Sequence, residues 1–321
     1  ARKGFGAALA GFSGIALTLL AAFLVVVVLI LLFSRVPLTT MRAFFIGPFR
    51  NAYYLGNMLN SAVPLVFTGL GIAVAFRSSV FNLGGEGQVY AGGLAATAVC
   101  LALPGANGLV GGLAAVVAGL GASAVIAGLS GFFRMQWDAD EMISSFLLSS
   151  AVVLVANWVI TGPLDDPANN LLATLPIGPQ FLLAKIFPPS KLNISAFFAL
   201  AAAAIVWVFM NRTHAGYEMR ICGLNREFAR YGGINVRTYL VLPMVLSGAL
   251  HGLGGALAVL GTHGAALKGF SGGMGWNGIA VALIARNNPL AVVPAALLFA
   301  WIDAGARAAM LHGDVTYEIA A

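Results

Sequence analysis

Long apolar runs separated by short polar segments make up most of this sequence. Residues 14–33, GIALTLLAAFLVVVVLILLF, carry no charge and reach by themselves the roughly 20 residues that a helix needs to cross a bilayer. Further runs predict helices at residues 59–76, 86–103, 108–133, 142–160, 193–210, 238–261, 274–285 and 289–311. The pattern therefore predicts an all-α, polytopic membrane protein with about nine spans.

The composition agrees with this class. Hydrophobic residues make up 60% of the 321 residues and charged residues only 9%, against roughly 25% charged residues in a soluble domain. The 40 glycines fit close packing between membrane helices, because small residues let backbones approach each other. The net charge of +6 is interpreted as a topology signal and not as a nucleic-acid surface, since Lys and Arg concentrate in cytoplasmic loops. Cys100 and Cys222 suggest no disulfide framework.

The basic residues predict a cytoplasmic N-terminus. With that orientation, ten of the 17 Lys and Arg residues fall on the cytoplasmic side, six fall outside and Arg307 lies within a span. Three arginines of the first outside loop, Arg35, Arg42 and Arg50, oppose this orientation. The balance still places the loop at 211–237 in the cytoplasm.

Two pairs of short stretches indicate an internal duplication. PLVFTG at 64–69 matches PMVLSG at 243–248, and FNLGGEGQ at 81–88 aligns with FSGGMGWN at 270–277. The copies would cross the membrane in opposite directions. They therefore predict the inverted repeat of many transporters, with the solute path near helices broken by Gly or Pro. The alternative is that both glycine-rich stretches are ordinary interfacial loops.

The most polar segment of the chain is residues 211–237, NRTHAGYEMRICGLNREFARYGGINVR. Ile221, Leu224 and Phe228 fall at helical spacing, and the following glycine pair is expected to end that helix. A short amphipathic helix on the cytoplasmic side is suited to dock into a groove of a soluble partner. The alternative is a solvated basic loop that only fixes the topology.

Motifs for covalent chemistry are missing from the sequence. It contains no G-x-x-x-x-G-K-[ST] phosphate loop and no G-x-S-x-G nucleophile elbow. The four histidines are scattered without metal-ligand spacing. We therefore expect that the chain is not an enzyme and holds no cofactor or metal of its own.

Four stretches occur in an order and spacing that are more specific than any one of them. They are AVPLVFTGLGIAVAFRSSVFNLGGEGQ at 62–88, ADEMISSFLL at 139–148, GYEMRICGLNREFARYGGINV at 216–236, and GMGWNGIAVALIARNNPL, which ends at residue 290. Together they resemble the nucleoside-type permeases of ABC importers, within the larger group of branched-chain amino acid and ribose permeases.

The resemblance implies a type II ABC importer permease of nine to ten transmembrane helices in the bacterial cytoplasmic (inner) membrane. Its expected partners are a second homologous permease, two cytoplasmic ATP-binding subunits that hold ATP and Mg²⁺, and a substrate-binding lipoprotein or periplasmic protein. The family continues with one more hydrophobic helix, so we expect a truncated second repeat. The predicted division is an N-terminal helix with the first outside loop at 1–58, a first repeat with connecting helices at 59–210, a coupling loop at 211–237 and a second repeat at 238–321.

A passage for a nucleoside needs aromatic faces and amide or carboxylate groups at mid-depth. The residues predicted to line it are Phe81, Asn82, Glu86, Gln88, Ser149, Trp276 and Asn277. Glu86 is the strongest candidate, since an ionisable group within a membrane span is costly and usually has a function. The alternative is that it caps the N-terminus of a broken helix. Ser149 stands where the family often has Asn, so selectivity is expected to differ if that position touches the ligand.

The resemblance also assigns ATPase coupling to the loop at 211–237. The residues predicted for this role are Arg220, Gly223, Asn225, Glu227, Ala229, Gly232 and Gly233. Three of them, Glu227, Ala229 and Gly233, keep the spacing of an E-A-A-x-x-x-G motif, with Phe228 in place of the first Ala.

Two alternative functions remain open at this stage. The same architecture would also suit import of ribose or a branched-chain amino acid. An ion-coupled secondary transporter would use Glu86 and Asp303 instead. Asp303 and Arg307 are four residues apart, however, which predicts an ion pair on one helix face.

Overall fold

The computed structural model describes residues 20–21, 23–168 and 170–316, and this part of the chain is built from helices. In chain order they are α1 (Phe23–Phe33), α2 (Pro37–Ile46), α3 (Ala52–Arg77), α4 (Gly85–Ala102), α5 (Gly108–Trp137), α6 (Glu141–Ile160), α7 (Ser195–Arg212), α8 (His214–Leu224), α9 (Arg226–Tyr231), α10 (Val236–Ala258), α11 (Met274–Ile284) and α12 (Pro289–His312). Six of the described helices are long and apolar enough to cross a membrane: α3, α5, α6, α7, α12, and α10 with the π-turn Val259–His263 that continues it. The all-α, polytopic prediction is confirmed.

The predicted apolar runs correspond to helices, with ends set by local capping. The helix α3 begins earlier than predicted, where the Asn51 side chain accepts a hydrogen bond of 3.0 Å from the backbone N–H of Tyr54. The helix α5 runs on to Trp137 and ends at Asp138, whose φ of 52° is left-handed. Of the first predicted run, residues 14–19 and 22 lie outside the described residues.

One compact unit combines the described residues up to residue 55 with those from residue 301 onward. Its described core packs α1, α2 and the C-terminal half of α12 around Phe44. Asp303 and Arg307 form the predicted ion pair. Each group thereby has its counter-charge on the same helix face.

The other compact unit, residues 56–300, is centred on α4, α5 and α10. Glycines let these helices approach backbone to backbone. A Cβ atom added at Gly92 would lie 2.3 Å from the carbonyl oxygen of Gly252, and one at Gly255 would lie 2.1 Å from that of Val89. This is the small-residue packing that the glycine content indicates.

The two stretches of each predicted repeat occupy matching places in the fold. PLVFTG lies inside α3 and PMVLSG inside α10, each with its proline in the helix interior. The glycine-rich stretch that follows in each copy then leads into a shorter helix, α4 in the first and α11 in the second.

The sequence predicted a single amphipathic helix within 211–237. This prediction is wrong, because the structure has two helices there. Ile221 and Leu224 lie on α8, whereas Phe228 lies on α9. The break is at Asn225, whose backbone is extended (φ −158°) and whose side chain accepts a hydrogen bond from the N–H of Phe228 at 2.9 Å. An asparagine that starts a new helix as its N-cap ends the preceding one. The glycine pair does end α9, as predicted.

Candidate functional site

The two glycine-rich stretches at 81–88 and 270–277, called the polar breaks below, contact each other in the structure. Glu86 lies in the first turn of α4, and one of its carboxylate oxygens accepts a hydrogen bond of 3.0 Å from the N–H of Gly275, at the start of α11. The other oxygen accepts a hydrogen bond from the hydroxyl of Ser271. The backbones are so close that a Cβ atom on Gly275 would lie 2.2 Å from the nitrogen of Glu86.

Glu86 therefore caps a helix, but not its own. The carboxylate stands at the N-terminus of α11, where a negative charge is favoured by the free N–H groups and the helix dipole. In the alignment of 81–88 with 270–277, Glu86 and Gly275 occupy equivalent positions. Contact between equivalent residues is what a twofold relation between two halves produces at its axis.

Asn82 and Gln88 form a closed amide pair. The Asn82 Nδ2 donates to Gln88 Oε1 at 2.8 Å, and the Gln88 Nε2 donates to Asn82 Oδ1 at 2.9 Å. Asn82 also donates to the Ser247 hydroxyl of α10 at 2.9 Å. Both amides are fully buried, so in this conformation they join the break to α10 and face no open space.

Replacing Gln88 with Ala is expected to lower the free energy of unfolding by about 1–3 kcal/mol, because it leaves the buried Asn82 amide without its partner. The measurement is the thermal midpoint of the purified protein in detergent. The control is Gln136→Ala, at an exposed glutamine near the end of α5. Equal midpoints for the two variants would contradict a stabilising role of the pair.

Two serines of α6 hold the same break from the other side. The Ser145 hydroxyl accepts from the N–H of Leu83 at 3.0 Å, and the Ser149 hydroxyl accepts from the N–H of Gly87 at 2.7 Å. Ser149 is only 2% exposed. It contacts the first turn of α4 directly, since a Cβ atom on Gly87 would lie 2.6 Å from the Cα of Ser149.

The aromatic residues predicted to line the pathway are exposed, in contrast. Trp276 is 42% exposed, and its ring centroid lies 5.9 Å from that of Phe146 on α6. Phe81 is 38% exposed and packs edge-on against Phe76 at 5.0 Å. Asn277 and Glu86 are half-buried. Aromatic faces next to a carboxylate are the groups that a flat, polar solute requires.

Two neighbours of the breaks were not predicted. Phe146 lies in an apolar run, where nothing in the hydrophobic pattern distinguishes it from lipid-facing residues. His251 of α10 is fully buried, with its Nδ1 2.7 Å from the carbonyl oxygen of Ser247. Its ring fills the space left by two glycines, since a Cβ atom on Gly71 or Gly85 would lie 2.6 Å from a ring nitrogen.

No group of three or more His, Cys, Asp or Glu side chains arranged for a metal ion occurs in the part of the chain that the structure describes. The polar groups at the breaks are amides, hydroxyls and one carboxylate, tied to helix ends. Of these groups, Glu86 is half-buried, as is Asn277, and can form hydrogen bonds with a solute, whereas Asn82, Gln88 and Ser149 are buried.

The loop that precedes α4 also contacts the segment α8–α9. The Ser79 hydroxyl donates to the carbonyl oxygen of Gly223 at 2.7 Å, and Arg226 donates to the carbonyl oxygen of Ser79 at 3.2 Å. Gly223 packs on the chain at residues 77–78, where a Cβ atom would lie 2.6 Å from the carbonyl oxygen of Arg77. The segment is therefore joined directly to the polar break.

Three large apolar side chains of α8–α9 are exposed. Leu224 is 82% exposed, Phe228 65% and Tyr231 90%. Ala229, between them in sequence, is buried. Three large exposed apolar side chains within eight residues mark a surface for a partner.

The remaining residues predicted for coupling are placed as follows. Glu227 and Arg230 form an exposed ion pair at 3.3 Å. Gly232 ends α9, and Gly233 takes a left-handed conformation with φ of 80°. Arg220 is half-buried in α8.

Comparison with known proteins gives consistent matches over most of the chain. Residues 54–316 match the family described as branched-chain amino acid transport system / permease component. The chain is 37% identical to a "probable riboflavin import permease protein" of Treponema pallidum, over 90% of this chain and 77% of the relative. It is 33% identical to a guanosine ABC transporter permease protein of Bacillus subtilis, over 85% and 79% of the two chains. It is 31% identical to a glucose ABC transporter permease protein of Haloferax volcanii, over 90% and 78%.

Proposed function

We propose that this chain imports nucleosides, on the premise that it belongs to the family of branched-chain amino acid transport system permease components. It is a multi-pass membrane protein and a transport subunit. The proposal adds that ATP is hydrolysed in a separate cytoplasmic subunit, that a second homologous permease completes the transmembrane part, and that a substrate-binding protein delivers the solute. Two relatives named as nucleoside permeases of Lactococcus lactis, 28% and 25% identical to this chain, support a pair of permeases.

The meeting of the two polar breaks beside open aromatic rings carries this proposal. The proposed contacts for the flat base are Trp276, Phe81 and Phe146, since all three are exposed large side chains at or beside the breaks. Glu86 and Asn277 are the proposed partners for its donors and acceptors. The buried residues Asn82, Gln88 and Ser149 are assigned to the same pathway as the groups that hold the break in shape.

The coupling role of α8–α9 is part of the proposal. The exposed side chains Leu224, Phe228 and Tyr231 would enter a groove of the ATPase subunit. Movement of this segment would reach the breaks through Gly223 and Ser79 as a rigid-body change. The supporting groups are Arg220, Asn225, Glu227, Ala229, Gly232 and Gly233.

Uptake of labelled guanosine and adenosine tests the solute. Cells carrying this gene with its partner subunits are compared with cells in which the ATPase subunit is inactivated, and with unlabelled ribose, leucine and glucose as competitors. We expect ATPase-dependent nucleoside uptake that these competitors do not block. Uptake that persists without the ATPase and collapses with the proton gradient would instead select an ion-coupled transporter.

Riboflavin is the second candidate solute. The 37% identity to the riboflavin permease relative favours it, and riboflavin resembles nucleosides in having a flat nitrogen heterocycle joined to a five-carbon polyhydroxylated group, an open chain in riboflavin and a ring in nucleosides. The same open rings would serve either solute. If riboflavin blocks guanosine uptake and is itself imported, the solute class widens to flavins; if riboflavin alone is imported, the nucleoside proposal is wrong.

Glu86→Gln separates a ligand role from a capping role. The amide keeps an oxygen for the N–H of Gly275 and a nitrogen for Ser271, so the fold is expected to persist. A charged hydrogen bond to the nucleoside is worth about 1.5–3 kcal/mol, so its loss should raise the KM for uptake by about 10- to 100-fold. The control is Asp138→Asn, at a carboxylate that is 89% exposed. An unchanged KM would restrict Glu86 to capping α11.

A further inference from the structure

A cleft of about 700 Å³ opens at the cytoplasmic end of α5, between that helix and the start of α10. Three arginines line it: Arg134 of α5, Arg230 of α9 and Arg237 of α10. Trp137, which is 67% exposed, forms part of the wall. The cleft therefore combines guanidinium groups with an aromatic side chain typical of the membrane–water interface.

The arginines of the cleft keep donors available for an anion. The Nε of Arg134 lies 3.5 Å from a carboxylate oxygen of Asp138, which also lines the cleft, and 3.5 Å from one of Glu141. Its Nη1 donates to the carbonyl oxygen of Asp138 at 3.5 Å, whereas Nη2 has no hydrogen-bond partner among the described residues. Arg230 pairs with Glu227, and both side chains are about two-thirds exposed, so water weakens this pair. Arg237 forms no ion pair with any residue in the described ranges.

An apolar groove continues from the cleft along the same two helices. It has a volume of about 360 Å³, and its walls are Val125, Gly128 and Phe132 of α5 facing Val241 and Val245 of α10. Arg237 lines the cleft, and Val241 and Val245, one and two turns further along the same face of α10, line the groove, so the groove continues the cleft along this helix. A basic cleft thus opens directly into an apolar channel along two membrane helices.

We propose that the cleft and groove bind one anionic phospholipid of the cytoplasmic leaflet. The phosphate would accept hydrogen bonds from Arg237 and Arg134, because a guanidinium group can donate to two phosphate oxygens at once. An acyl chain of the same lipid would lie in the groove. The loop 211–237 carries two of the three cleft arginines, Arg230 and Arg237, and is the cytoplasmic one by the distribution of basic residues. A soluble acidic partner would fill the cleft alone, because only a lipid chain reaches a groove along membrane helices.

The test is native mass spectrometry of the full chain with equal amounts of dioleoyl phosphatidylglycerol and dioleoyl phosphatidylcholine. We expect one phosphatidylglycerol retained in preference to phosphatidylcholine. Arg237→Ala should reduce that retention about fivefold, the effect of losing one cation near a lipid headgroup. The matched control is Arg212→Ala, at the cytoplasmic end of α7 outside the cleft, which should leave retention unchanged. Equal losses in the two variants, or equal retention of the two lipids, would overturn the proposal.

A second variant tests the groove independently of the charge. Val245→Trp fills the groove from α10 and should also reduce phosphatidylglycerol retention, since the acyl chain loses its place. If inorganic phosphate displaces the lipid and Val245→Trp has no effect, the cleft binds phosphate alone and the lipid proposal is wrong. If Arg237→Ala leaves lipid retention intact but reduces co-purification of the ATPase subunit, the cleft is a protein contact, which equally overturns it.

Discussion

Gly275→Ala is expected to destabilise the folded protein by more than about 3 kcal/mol, beyond the usual range for overpacking. The added Cβ atom would lie 2.2 Å from the nitrogen of Glu86, 2.4 Å from the carbonyl carbon of Gly85 and 2.5 Å from the Cα of Glu86. These are backbone atoms, so no side-chain rotation relieves the overlap. The breaks before α4 and α11 would have to separate, and the Glu86 carboxylate would leave the N-terminus of α11.

The measurement is the yield of monodisperse protein after size-exclusion chromatography, together with its thermal midpoint. Gly121→Ala on α5 is the matched control, because a Cβ atom there has open space within 4 Å. Alanine is favoured over glycine in a helix interior by about 1 kcal/mol, so this control should be neutral or stabilised. A Gly275→Ala protein as stable as the control would show that the two breaks are not in the close contact described.

Phe228→Asp is expected to reduce ATP-dependent uptake more than about tenfold while leaving the fold intact. Phe228 is 65% exposed on α9, so the substitution costs little inside this chain, but it places a charge in the proposed apolar contact with the ATPase subunit. Burial of an unpaired charge costs several kcal/mol, which is enough to separate the two proteins.

Two readouts distinguish this loss from a folding defect. The thermal midpoint of the variant should match that of the original protein, while co-purification of the ATPase subunit and nucleoside uptake should both fall. Phe228→Leu keeps an apolar side chain and is expected to retain most of the uptake. Normal co-purification of Phe228→Asp would remove α9 from the coupling surface and leave the solute proposal untouched.

The long apolar helices of this protein were predictable because each contains a continuous apolar run, and hydrophobic length is a property of the sequence alone. The position of the polar breaks was predictable for the same reason, since Glu86 and its glycines interrupt such runs. The contacts between the breaks were not. That Glu86 caps α11 and that Asn82 pairs with Gln88 depends on how distant segments pack.

The residues that the sequence failed to predict were missed for the same physical reason. Phe146 and His251 lie within apolar runs, where the pattern records that a residue is in the membrane but not which neighbour it faces. The division of the helix predicted in 211–237 at Asn225 was missed for a different reason. The periodicity of Ile221, Leu224 and Phe228 suggested one helix, but a single side chain able to cap the next helix outweighed it.

The contact between residues 86 and 275 also limits how symmetric this part of the molecule can be. The two positions are equivalent in the predicted repeat, but residue 86 carries a side chain whereas a Cβ atom at residue 275 would overlap backbone atoms of Gly85 and Glu86. Two identical halves could not place a carboxylate at such a contact. A lone negative charge there therefore requires two halves of different sequence.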